Sequence, residues 1–210
     1  MRKGLLGGTF DPIHNGHVVL AQEAMVGLGL EGLWFVPTGS PWMKQGAALS
    51  AKEDRRAMVE LAIAEEPRFH VCHAELDREG VTYTVDTLEE LLAGEMTGDE
   101  LWFIMGSDTL ETMHEWKDPK RILELARVAV ALRPRHEKLD LRKLERVAPG
   151  AAERVTVIRL PLMSISGTEV RRRAAAGESL AGLVPEGVAA YIVEHGLYGG
   201  ARLRAAASGG

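Results

Sequence analysis

The chain has 210 residues, 46% hydrophobic and 26% charged, with one cysteine and a formal net charge of −5. That length and composition support a real buried core, which argues against intrinsic disorder as the main state and removes any need for disulfide or metal staples. The mild acidity argues against coating nucleic acid, and no apolar run reaches the roughly 18 residues of a membrane span, so a cytoplasmic location with no membrane partner is expected.

Strand and helix patterns alternate along almost the whole length, the order that builds a parallel sheet covered by helices. Lys3–Gly7 reads as a first strand, and Gly16–Met25 as a helix whose Val18, Val19, Ala21 and Met25 can face a sheet. Leu33–Pro37 is a second strand. Ser50 and Glu53 form a capping-box pattern before a helix that carries Ala57, Met58, Leu61 and Ala62 and ends by Pro67. Further strands fit Phe69–Cys72, Leu101–Met105, Val128–Leu132 and Val155–Leu160, with helices at Val85–Ala93, Pro119–Ala126 and Leu139–Val147. Ser166–Ala176 and Pro185–His195 read as two helices with no strand between them, the second stopping at Gly196. Residues 199–210 show no apolar periodicity and are expected to form a loose tail.

Charge is unevenly placed along this order. Residues 1–116 hold 8 basic against 20 acidic side chains and residues 117–210 hold 17 against 10, which reads as two solvated faces. Cys72 reads as a small buried hydrophobe on a strand rather than a nucleophile.

The most informative stretch is Gly7–His17, GGTFDPIHNGH, between the first strand and the first helix. Its glycine pair lets backbone approach a ligand, and the helix beginning near Gly16 points N–H groups at whatever occupies the loop; together they make a phosphate seat. The stretch is neither GxGxxG nor a Gly-Lys-Ser/Thr loop, so it does not by itself indicate a dehydrogenase or a standard NTPase. His14 and His17 have three readings: metal ligands with Asp11 as a third, packing or capping groups, or donors to a phosphate chain. Two imidazoles beside a helix N-terminus favour the last. Ser164–Arg173, SISGTEVRRR, offers a second seat. Ser166 with Glu169 reads as a capping box, and the same turn presents N–H groups, the hydroxyls of Ser166 and Thr168, and Arg171 to a triphosphate, with Arg172 and Arg173 solvated.

GGTFDPIHNGH resembles the GxFDPxHxGH motif of the nucleotidyltransferase superfamily that carries the (H/T)xGH signature, and ISGTEVR resembles its second signature, ISSTxxR. Within that superfamily the chain is similar to the bacterial nicotinate-nucleotide adenylyltransferases, with supporting segments VPTGSPWMK, YTVDTL at Tyr83–Leu88, IMGSD at Ile104–Asp108, Trp116 and LVPEGVAAYIVEHGLY. The resemblance implies transfer of AMP from ATP to nicotinate mononucleotide, giving deamido-NAD and pyrophosphate, with Mg2+ accompanying ATP. It implies His14, His17, Lys44 and Arg171 as the catalytic phosphate-handling set, His17 lying nearest the α-phosphate. It implies Gly8, Thr9, Phe10, Gly106, Asp108, Ser166 and Thr168 as ATP contacts, and Tyr83, Thr84 and Trp116 as the nicotinate mononucleotide pocket. No dedicated protein cage for a metal is visible.

Each of these residues also has a plainer reading. Tyr83 and Trp116 can be partly buried aromatics, and Asp108 an N-cap before Thr109. Two positions depart from the family pattern: Met43 stands where histidine is usual, and Gly167 where serine is usual, which predicts an altered phosphate grip rather than lost activity. The fold expected is α/β, a Rossmann-like doubly wound parallel sheet with a C-terminal helical layer at 165–198, in one domain covering 1–198. The partners expected are small molecules, with a homo-oligomer left open. Competing functions are the same chemistry on nicotinamide mononucleotide or phosphopantetheine, cytidylyl transfer, and a nucleotide-binding module without catalysis.

Overall fold

Strands that are apolar on both sides belong in a sheet covered on both faces, and a computed structural model, which describes residues 1–41, 49–132, 139–159 and 165–199, has this arrangement. In chain order the first half contains β1 (Arg2–Gly8), α1 (Asn15–Leu28), β2 (Gly32–Pro37), β3 (Ser40–Pro41), α2 (Lys52–Ile63), β4 (Phe69–Val71), α3 (Ala74–Asp77), β5 (Val81–Thr82) and α4 (Thr84–Ala93). The second half contains β6 (Glu100–Gly106), α5 (Ser107–Thr112), α6 (Pro119–Leu125), β7 (Ala126–Leu132), α7 (Arg142–Val147), α8 (Ala151–Arg154), β8 (Val155–Arg159), α9 (Gly167–Ala176) and α10 (Glu186–Glu194).

Six strands form one parallel sheet in the order β4-β2-β1-β6-β7-β8. The chain winds outward from β1 in one direction and then, from β6, in the other. This is the doubly wound pattern expected, and it puts a crevice between the C-terminal ends of β1 and β6. Alternate residues of each central strand feed opposite cores. Leu6, Ile104 and Ala129 pack with α1, α2, α9 and α10, whereas Leu5, Phe103, Met105, Val128 and Val130 pack with α4, α6 and α7. Gly4 shows how closely the layers approach, since a Cβ there would lie 2.6 Å from Leu30 Cδ1 and 3.1 Å from Ile104 Cδ1.

Several boundaries differ from the sequence reading. The Ser50–Glu53 capping box does not form: Ala51 occupies the cap position of α2 with no side-chain cap bond, because Ser50 is turned toward the β1–α1 loop, where its N–H donates to Asp11 Oδ2 at 3.3 Å. The Ser166 cap does form, its Oγ accepting from the Glu169 N–H at 3.2 Å, but the Glu169 carboxylate turns to Arg172 and Arg173 instead of back to the cap. The β3–β5 ladder and the short helices α3 and α8 carry too few residues for a periodic signal, and α5 starts two residues earlier than an Asp108 cap would place it. Helices α9 and α10 complete the same face that α1 and α2 cover. Leu160 and residues 200–210, part of the last predicted strand and of the predicted tail, lie outside the described residues. Among the described residues no helix is long and apolar enough to cross a membrane.

One buried acid sits where α3 meets α4. Glu75 is 7% exposed, and burial pushes its carboxyl above the ordinary carboxylate range, opposed by hydrogen bonding from Thr87 and Gly39 and by the charge of Arg78. A folded-state value above the unfolded one makes ionisation costly, so the penalty is absent below the unfolded carboxyl range, grows as pH rises from the unfolded value to the folded one, and is full and constant above it. Glu75→Gln should therefore raise Tm by about 2–4 °C at pH 8, with the difference vanishing toward pH 4, as followed by thermal unfolding. A variant that is less stable at pH 8 than at pH 4, relative to the parent, would contradict this.

Candidate active site

The crevice at the switch of strand order is where doubly wound sheets bind ligands, and the first signature loop lies in it. The chain leaves β1 at Gly8 and enters α1 at Asn15 through Phe10, at φ 47°, and a cis Asp11–Pro12 bond. Phe10 is 1% exposed, with its ring 5.7 Å from Phe35 and edge-on to His17 at 5.1 Å. His14 caps α1. The His14 N–H donates to His17 Nδ1 at 3.2 Å, and the two imidazoles stack at 3.7 Å with planes 16° apart. A ring nitrogen that accepts must be unprotonated, so neutral His17 carries its proton on Nε2, the nitrogen suited to donate to a phosphate oxygen. The capping and phosphate-donor readings of these histidines are thus compatible.

The second signature meets the first across more than 150 residues of sequence. Arg171 Nη1 donates to the Asp11 carbonyl at 2.7 Å, and its Nη2 lies 3.4 Å from Thr168 Oγ1. A Cβ on Gly167 would fall 3.4 Å from that same carbonyl and 3.3 Å from Arg171 Nη1, so the smallest residue stands where the helix start presses on the loop. The N-termini of α1 and α9, both long enough for a dipole, therefore converge on Asp11. Glu169 stands in the first turn of α9, but its hydrogen bonds to Arg172 and Arg173 pull its carboxyl down to about 2 and neutralise it locally.

Beneath the loop lies a cation that sequence reasoning missed. Arg55 is 2% exposed and donates to the carbonyls of Thr9 (2.8 Å), Thr38 (2.7 Å), Gly39 (3.3 Å) and Ser50 (3.2 Å). Burial pulls its titration down, and the nearby Asp11 carboxylate opposes that shift. Asp11, considered above only as a metal ligand, is 5% exposed and accepts from the Tyr198 hydroxyl at 2.6 Å and from the Ser50 N–H. A signal for Arg55 existed: it occupies the apolar side of α2 with Met58 and Val59, where a solvated arginine has no place.

The residues expected on the adenosine and acceptor sides also lie among the described residues. Gly106 ends β6 beside the end of β1, and a Cβ on it would meet nothing within 4 Å. Asp108 is exposed in the first turn of α5; the cap of that helix is Gly106, so the N-cap reading of Asp108 does not hold. Thr84 opens α4 with Tyr83 as its cap residue, and the Tyr83 ring lies under Lys117 Nζ at 4.9 Å, which in turn pairs with Asp86 at 2.7 Å. Trp116 packs edge-on against Phe103 at 6.1 Å, and Phe103 abuts Gly7, so this ring is tied to the end of β1. Lys44 and Met43 lie outside the described residues. Among the described residues no group of three or more His, Cys, Asp or Glu side chains is placed to hold a metal ion.

Removing the buried guanidinium would strand four carbonyls and leave Asp11 without its nearest buried cation. Arg55→Met should cost about 3–5 kcal/mol in urea unfolding, and a loss below about 1 kcal/mol would show that the carbonyls find other donors.

Comparison with known proteins gives the family. A family model described as cytidylyltransferase-like matches residues 5–173. A Dehalococcoides mccartyi protein named as a probable nicotinate-nucleotide adenylyltransferase is 41% identical over 198 residues, covering 94% of this chain and 97% of its own. A Corynebacterium jeikeium protein of the same name is 43% identical over 196 residues, covering 92% and 98%. The solved Plasmodium falciparum nicotinic acid mononucleotide adenylyltransferase complexed with NaAD superposes with a TM-score of 0.74 at 20% identity, over 94% of this chain and 97% of that one, a likeness of fold. Both signature segments fall inside the matched region and meet at one loop in the crevice, and the chain belongs to the cytidylyltransferase-like family, among its nicotinate-nucleotide adenylyltransferases.

Proposed function

We propose that the chain transfers AMP from ATP to nicotinate mononucleotide, forming deamido-NAD and releasing pyrophosphate. The observation that carries this reading is the convergence of two helix N-termini, His14, His17 and Arg171 on the loop that leaves the central strand, in the crevice where such folds bind nucleotides. The acceptor follows from the relatives, which are named for nicotinate nucleotide.

The attacking group is a phosphate monoester whose second pKa is about 6, so at pH 7 it is largely dianionic and needs no general base. The obstacle is repulsion between two anions. Holding them in line contributes about 7–11 kcal/mol, and fixed donors add stabilisation where charge develops. In this reading His17 donates to the α-phosphate side, the α1 N-terminus and the Phe10 N–H meet the bridging oxygens, and Ser166, Thr168, Arg171 and Lys44 hold the departing pyrophosphate. Asp108 accepts from ribose hydroxyls beside Gly106, and the nicotinate ring lies against Trp116 with Tyr83 and Thr84 alongside. Mg2+ suits this donor set as an ion held on triphosphate oxygens, since it keeps several waters and takes few protein ligands. Bound there, it would neutralise charge on the leaving group.

The test supplies ATP and Mg2+ with nicotinate mononucleotide, nicotinamide mononucleotide or phosphopantetheine and measures pyrophosphate. Release with the first and at least about tenfold less with the others is expected, because a site that pairs with a carboxylate rejects a neutral isostere. Equal rates with acid and amide would remove the acid preference, and no release with any acceptor would favour a binding module. His17→Ala should lower kcat by about 100-fold or more with the folded state retained by circular dichroism; a parallel loss of fold would mark His17 as structural instead.

A further inference from the structure

The signature motifs account for the groups that face the crevice but leave open what holds their loop still. Helix α10 ends in a left-handed Gly196 (φ 60°) with the Leu197 N–H donating to the Ile192 carbonyl at 3.0 Å, a turn that sends the chain back toward the crevice. Tyr198 follows in the left-handed region itself, at φ 62°, a conformation costly for a residue with a side chain. Its hydroxyl donates to Asp11 Oδ1 at 2.6 Å, 187 positions earlier in the chain. The other carboxylate oxygen accepts from the Ser50 N–H, and the Asp11 carbonyl accepts from Arg171, so three distant segments meet on one loop residue. Burial and the Asp11 carboxylate push the phenol well above its ordinary range, so it stays a donor at every working pH.

We propose that Tyr198 is a positioning residue of the phosphate-binding loop: by donating to Asp11 it fixes residues 9–14 in the conformation that receives the triphosphate, and so sets nucleotide affinity without touching the nucleotide. The part that concerns nucleotide rests on the adenylyltransferase reading. The part that concerns the loop does not.

Tyr198→Phe removes only the hydroxyl, and full-length protein carrying it, Asp11→Ala, or both is compared with the parent by two measurements. In hydrogen exchange, amides of residues 9–14 should exchange about tenfold faster in Tyr198→Phe, with β1 and β6 unchanged, and adding Tyr198→Phe to Asp11→Ala should produce little further change because the hydroxyl's acceptor is already gone. In steady-state assays KM for ATP should rise about tenfold while KM for the acceptor stays within about twofold. Unchanged loop exchange would overturn the proposal, as would acceleration spread evenly over the sheet, which is the mark of a general stability loss. A parent that releases no pyrophosphate would count against the adenylyltransferase reading, and the exchange result would still decide the loop.

Discussion

A loop that leaves the middle of a buried sheet turns some of its carbonyls inward, and each must find a donor. Here a single guanidinium supplies Thr9 in the loop together with three carbonyls of the neighbouring segments, and the rest of the site depends on it. Arginine suits the task because its donors form a rigid fork and keep their charge when buried. Its contacts also set direction. In a trans peptide the C=O and the next N–H point opposite ways, so tying the Thr9 carbonyl to Arg55 turns the Phe10 N–H away from that buried cation. The same cation fastens Thr38 and Gly39, at the exit of β2, and Ser50, at the entrance to α2, to the signature loop.

Electrostatics in the crevice follow from how the neighbouring charges are spent. Arg55 and Arg171 both reach the loop, the Asp11 carboxylate acts most strongly on Arg55 with Glu53 and Glu75 behind it, and Glu169 is occupied by Arg172 and Arg173 on the outer side of α9. Two helix N-termini add partial positive charge at the same point. A chain of net charge −5 can therefore present a seat for a polyanion, because affinity is set by the few groups within a Debye length of the ligand and not by the total.

Much of this was legible in the sequence, for identifiable reasons. The strand alternation and the helices α1, α2, α4, α9 and α10 are long enough to show their period, and the two signature stretches announce backbone seats through glycine and helix-start residues. The failures lie where local pattern and tertiary demand compete. Ser50 and Glu53 match a capping box, but the buried Asp11 carboxylate draws the Ser50 N–H away, so a locally sensible cap is not made. Tyr198 had no local signal for its role, since its partner is at the other end of the chain. Arg55 does have one, a charge on the apolar side of an amphipathic helix, set among apolar residues whose spacing alone predicts the helix.

The loop is thus built without nucleotide, held from below by Arg55 and from the side by Arg171 and Tyr198. The most direct measurement is a pair of crystal structures, one without ligand and one with a non-hydrolysable ATP analogue. Residues 9–14 should superpose within about 1 Å, with the Arg55–Thr9 and Tyr198–Asp11 bonds intact in both and the phosphates beside His14 and His17. A loop that rebuilds on binding, with those bonds broken in the unliganded crystal, would contradict it.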